Sequence, residues 1–200
     1  MENMLVVVDM VNGFINFGAL ADKDIAKIIP NVEKSINIAK QEKMKIVAFR
    51  DCHHDGDEEF KTYPPHCLDG TDESEIVPEL KPYEKDMFVI KKDTTNGFKT
   101  EQFLGLVTKK DYDNVYVVGC CTDICVQDFV LSYQSFIKQN QKQTKIKVID
   151  DACATFGGAN HDARESHISS IQKMKQAGAE IVDIKSMEKE QLCNQNSRIC

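Results

Sequence analysis

Three reactive side chains in this sequence sit at the ends of short apolar runs. Asp9 follows Met4–Val8, Lys92 closely follows Met87–Ile90, and Cys125 lies in the turn after Val115–Val118. A cysteine nucleophile needs a base to take its proton and a cation to favour the thiolate. Asp9 can be that base and Lys92 that cation, with Lys91 competing for the second role. Cys125 also falls where helical spacing begins, with Val126, Phe129, Val130 and Tyr133 on one face. Backbone N–H groups and the positive end of a helix dipole there favour thiolate and can hold an oxyanion. Taken alone, Cys125 reads first as a small buried hydrophobe, as most free cysteines are; its two partners raise the catalytic reading.

A second group of residues points to a metal. Asp51-Cys52-His53 puts a carboxylate and an imidazole on the same side of an extended segment. Glu59 and His66 follow, with Pro64-Pro65 stiffening the approach. Two histidines with carboxylates suit zinc, manganese or iron. His54, Asp55, Asp57 and Glu58 read instead as a solvated acidic loop.

The elements that must position these residues alternate. Strands are predicted at Met4–Val8, Lys45–Phe49, Met87–Ile90, Val115–Val118, Ile146–Ile149 and Ile181–Ile184. Helices are predicted from Pro30, over Lys99–Val107, from Asp123 to Lys138 and over His161–Ala177, where Gly178 stops the last one. Residues 10–24 read as loop, and the polar stretch 51–86 is long enough to suggest a site or lid. Unbroken apolar strands suit a sheet buried on both faces. The pattern predicts a three-layer α/β/α doubly wound fold around a mainly parallel six-stranded sheet. One domain spans 1–184, and 185–200 form a polar, aperiodic and mobile tail. Ligands in such sheets bind beyond the carboxyl ends of the strands, where Asp9, Asp51, Lys92 and the Cys120–Cys125 turn all fall.

Composition narrows the function. A net charge of −7 with scattered lysines argues against nucleic acid as partner. No apolar run approaches membrane-spanning length, and the chain enters a strand at Met4 without a signal peptide, so a cytoplasmic location is expected. The eight cysteines follow no disulfide or zinc-ribbon spacing.

The ordered motifs resemble the isochorismatase-like cysteine hydrolases, and among them the nicotinamidases. They are Asp9 with Phe14, Asp51-x-His53, and Phe60-x-x-Tyr63-Pro64-Pro65-His66-Cys67-Leu68-x-Gly70-Thr71. Further on come Lys92 with Phe98, Gly119-Cys120-Cys121-Thr122-Asp123-Ile124-Cys125-Val126, and Asp151-Ala152-Cys153. The resemblance implies an Asp9, Lys92 and Cys125 triad, and an oxyanion hole from the N–H groups of Cys121 and Cys125. It implies a cis peptide between Cys120 and Cys121, and a metal held by Asp51, His53 and His66, with Glu59 ligating directly or through water. It implies substrate contacts from Phe14, Tyr63 and Cys120. The implied reaction is hydrolysis of a small amide, nicotinamide first, in an enzyme that often forms homo-oligomers. Val11-Asn12-Gly13 and Thr95-Asn96-Gly97 depart from the family pattern. The second departure predicts a wider, more polar pocket wall and keeps another amide or ureido substrate open. A silent binding module and a redox or metal-sensing protein are the rivals from other classes.

Overall fold

The computed structural model describes residues 2–197. Six strands form one parallel sheet in the order β3-β2-β1-β4-β5-β6. They are β1 (Asn3–Val8), β2 (Lys45–Asp51), β3 (Phe88–Lys92), β4 (Asn114–Cys120), β5 (Lys145–Ala154) and β6 (Glu180–Val182). The helices are α1 (Asn12–Ile15), α2 (Ile29–Gln41), α3 (Glu101–Lys109), α4 (Gln127–Gln139), α5 (Ala163–Ala177) and α6 (Ile184–Ser197). The chain builds outward from β1 to β3, then returns to β4 on the other side of β1. That reversal opens a crevice beyond the carboxyl ends of β1 and β4, the usual ligand site of doubly wound sheets.

The central strands are buried on both faces, as their unbroken apolar runs require. Leu5 and Val7 of β1 share one core with Val32, Ile36 and Ala39 of α2 and with Met187 of α6. Met4, Val6 and Val8 share the other with Phe103 of α3, Phe129 and Tyr133 of α4, and Met174 of α5. Where β1 meets β4 the backbones approach so closely that a Cβ at Gly119 would lie 2.1 Å from the Val8 carbonyl oxygen. Gly119 also has φ +120°, a conformation open to glycine.

Several elements differ from the sequence-based expectation. β2 and β3 run on to Asp51 and Lys92, so both residues belong to strands. Residues 10–24 are not simple loop: α1 forms there, and a 3₁₀ helix begins at Lys23. The stretch 51–86 is not loose either. Three 3₁₀ turns punctuate it, and Arg50 at the end of β2 holds Glu75 at 3.1 Å. β5 continues to Ala154 through an irregularity: Val117 pairs with Val148, but Gly119 pairs with Cys153.

The expected mobile tail is instead helix α6. Its local pattern is weak because polar anchors dock it: Glu190 takes Lys147 at 2.7 Å and the Tyr116 hydroxyl at 2.5 Å, beside buried Met187. Cys200, assigned to that tail, lies outside the described residues. No helix among the described residues is long and apolar enough to cross a membrane. Replacing Glu190 by alanine removes the nearer carboxylate of the largely buried Lys147 ammonium and leaves only Glu180 among the described residues, at 4.0 Å. It is expected to cost about 1–3 kcal/mol in urea unfolding; an unchanged midpoint would show that α6 is docked by other contacts.

Candidate active site

Sheet register assembles the polar cluster. Asp51 and Lys92 are direct partners across β2 and β3, and Val8, the residue before Asp9, is level with Gly119 of β4. Asp9 leaves β1 with φ +49°. Lys92 Nζ then lies 2.8 Å from Asp9 Oδ2, 2.7 Å from Asp51 Oδ1 and 3.9 Å from Cys125 Sγ. All four residues are buried. Lys91 is the exposed neighbour, paired with Asp69 at 2.6 Å, which settles which lysine reaches the cluster.

The charges are unequal in consequence. Burial pushes the Asp9 carboxyl up to about 6, against the pull of Lys92. Burial also acts to raise Asp51, but Lys92, His53 and His66 hold it well below the carboxylate range. Lys92 is raised well above an ordinary lysine: burial opposes its charge, and Asp51 and Asp9 outweigh burial. Cys125 is pushed well up, by burial first, with Lys92 opposing and the two aspartates reinforcing. Burial thus works against the thiolate that Lys92 favours. The turn carrying it is also wider than an α-helix: Val126 donates its N–H to Cys121 O across a π-helical turn, Thr122–Val126, before α4 begins. The peptide between Cys120 and Cys121 is cis, as the motif resemblance implied.

The second cluster adjoins the first through Asp51. His53 Nδ1 faces Asp57 Oδ2 at 3.0 Å, and His66 Nδ1 faces the Pro64 carbonyl at 2.8 Å. Each acceptor fixes a proton on Nδ1 and leaves Nε2 a lone pair in the neutral ring. Both Nε2 atoms lie 3.1 Å from Asp51 Oδ2. Asp51 Oδ2 and His53 Nε2 are buried without an aligned hydrogen-bond partner. Converging lone pairs in a buried site fit a divalent cation, and these three residues group as candidate ligands. Burial opposes charge on both imidazoles, yet Asp51 raises them above an ordinary histidine. Glu59 stands farther off, with Oε1 3.9 Å from His66 Nε2. Phe60 packs against both imidazoles, with centroids 5.0 Å and 5.6 Å away.

The profile of the Isochorismatase domain matches residues 3–186. This chain belongs to the isochorismatase family. Nicotinamidase 1 of Arabidopsis thaliana is 34% identical over 212 aligned positions, which cover 92% of this chain and 86% of that protein. A pyrazinamidase of Pyrococcus horikoshii in complex with zinc superposes with a TM-score of 0.75 at 26% identity, covering 92% of this chain and 99% of that one. N-carbamoylsarcosine amidase from Thermoplasma acidophilum gives the same TM-score and identity, covering 92% and 97%.

The pocket opens onto the cluster. A cavity of about 400 Å³ reaches Cys121, Cys125, Glu59 and His66 and is walled by Phe14, Tyr63 and Phe156. Cys120 does not line it, contrary to expectation: it is fully buried, and its thiol donates to the Asp9 carbonyl at 3.1 Å. The wall predicted to be polar is less so. Only Thr95 of the Thr95-Asn96-Gly97 segment borders the cavity, and its hydroxyl is spent on Asp128 at 2.7 Å. The Asn96 amide donates to Ser132, while a Cβ at Gly97 would sit 2.8 Å from the Phe49 ring.

Asp57 was misread as solvated acid. Its spacing of four from His53 was the available signal, but only the turn at residues 54–57, with the His54 N–H at 2.8 Å from Asp57 Oδ2, brings it back to the imidazole. Asp57→Ala is expected to lower affinity for added zinc about 10–100-fold in titration calorimetry, the usual cost of losing a histidine's outer partner. Unchanged affinity would remove Asp57 from the site.

Proposed function

We propose that this protein is a metal-dependent cysteine amidohydrolase that converts nicotinamide to nicotinate and ammonia. The observation that carries the reading is the single buried Lys92 ammonium touching Asp9 and Asp51 and lying beside the Cys125 thiol, at the floor of a pocket that also reaches His66. Asp9, poised near neutrality by burial, takes the Cys125 proton as the sulfur attacks the carboxamide carbon. Lys92 offsets the charge that appears between them. The oxygen of the tetrahedral intermediate accepts the backbone N–H groups of Cys121 and Cys125. Its collapse breaks the C–N bond, and Asp9 returns its proton to the leaving ammonia. Water then attacks the thioester carbonyl and gives a proton to Asp9. Collapse of the second tetrahedral intermediate breaks the C–S bond, Asp9 returns its proton to the sulfur, and the acid departs as nicotinate with its remaining proton released to solvent.

Asp51, His53 and His66, with Glu59 alongside, would hold the divalent ion, with zinc first and manganese or iron as alternatives. When bound, that ion supplies a Lewis acid that orients a pyridine nitrogen. Phe14 and Tyr63, both on the pocket wall, pack against the ring. A pocket with this much room also favours a second reading: an amidase of the same mechanism acting on a larger amide or ureido compound.

Ammonia release from nicotinamide is expected from the zinc-loaded protein and not from Cys125→Ala; no release by the former would overturn the substrate assignment. Because Asp9 must be ionised to act as base, kcat/KM is expected to fall about tenfold per pH unit below about 6. A flat profile down to pH 5 would remove Asp9 as the base.

A further inference from the structure

Beyond the triad and the metal ligands, one histidine is tied to both the pocket wall and the nucleophile turn. His161 Nε2 lies 2.7 Å from Asp123 Oδ2, and its Nδ1 lies 2.9 Å from the Phe156 carbonyl oxygen. Both neighbours offer acceptor oxygens, so the ring is tethered at each nitrogen. It stacks on the Phe156 ring with centroids 4.0 Å apart and planes 6° from parallel. Asp123 belongs to the turn that carries Cys125, and its other oxygen takes the Thr155 hydroxyl. Phe156, Gly157 and Gly158 border the same pocket as Cys121 and Cys125 of that turn.

Phe156 also packs against the core on the Leu5 side of the sheet, while the residues after it are held mainly by backbone bonds. Residues 157–160 are exposed. Gly158 and His161 close a tight turn on each other, with N–H···O distances of 2.8 and 3.2 Å. Across the pocket mouth the Gly157 N–H reaches Asp22 Oδ2 at 2.8 Å.

We propose that His161 is a positioning residue that determines substrate affinity. Its ring holds Phe156 as one wall of the pocket and, through Asp123, fixes that wall at a set distance from Cys125. The inference rests on the amidohydrolase reading. It adds that the aromatic substrate is gripped from the β5 side by Phe156, in a conformation the loop alone would not keep. Removing the ring leaves Asp9, Lys92 and Cys125 in place and leaves Asp123 bonded to Thr155, so the loss appears in binding.

The test uses His161→Ala, His161→Arg, Phe156→Ala and the double alanine variant of the full chain. His161→Ala and Phe156→Ala are each expected to raise KM for nicotinamide about tenfold, with kcat within about threefold of wild type. The double variant is expected to be no worse than either single one, since both act through one wall. Arginine, which can pair with Asp123 and stack on Phe156, is expected to restore KM to within about threefold. A fall in kcat with KM unchanged, or additive losses, would overturn the assignment. If the wild type cleaves a different amide, the KM ratios are taken on that amide, so the substrate reading can fail without deciding this one. A second readout needs no substrate. Hydrogen exchange over residues 155–160 is expected to quicken about tenfold in His161→Ala and to return towards wild type in His161→Arg. Unchanged exchange in the alanine variant would equally overturn it.

Discussion

One buried ammonium organises this structure. Lys92 Nζ sits within 2.8 Å of two carboxylates that belong to different clusters, Asp9 beside the thiol and Asp51 beside the imidazoles. A lysine so enclosed keeps its proton because its neighbours are anionic, and it in turn favours charge on both of them, alone at Asp9 and with His53 and His66 at Asp51. Neither carboxylate has an equivalent substitute. Taking away the cation would force two buried negative charges to face each other near a sulfur that must itself become negative.

The sheet is what makes that arrangement cheap to specify. Adjacent parallel strands in register put Asp51 next to Lys92 with no loop involved, and the close packing of β1 on β4 at Gly119 brings Asp9 and the Cys120–Cys125 turn to the same edge. The resulting field decides protonation. Burial raises the Asp9 carboxyl to about 6 and also raises the Cys125 thiol, with Lys92 opposing in each case. The same lysine joins the putting of charge on sulfur to the state of Asp51, so the two clusters form one electrostatic unit.

Much of this was legible before any coordinates. Apolar runs without alternation mark strands buried on both faces, and residues at their carboxyl ends must converge in a parallel sheet; that reasoning places Asp9, Lys92 and Cys125 together. Motif spacing adds Asp51, His53 and His66. What escaped depends on contacts between distant segments. Asp57 looks like its solvated neighbours until a turn folds it onto His53. Helix α6 has little apolar periodicity because Lys147 and Tyr116 of the sheet anchor it through Glu190. The irregularity in β5 extends that strand to Ala154 and so delivers Phe156 to the pocket, and nothing in the local sequence marks it. Cys120 shows the reverse error: motif position suggested a substrate contact, whereas the chain direction at the turn buries its thiol against Asp9.

The dependence of both clusters on one cation can be measured directly in metal-free protein by urea unfolding of Lys92→Met against wild type between pH 5 and 8. Methionine keeps the volume and removes the charge. Without the cation the folded-state value of Asp9, already raised by burial, rises further, so the destabilisation is fully present above that value and is relieved as Asp9 protonates on acidification. The account predicts a loss of about 3–5 kcal/mol at pH 8, the cost of uncompensated buried charge, shrinking towards pH 5. A variant as stable as wild type at pH 8, or a loss that does not change with pH, would contradict it.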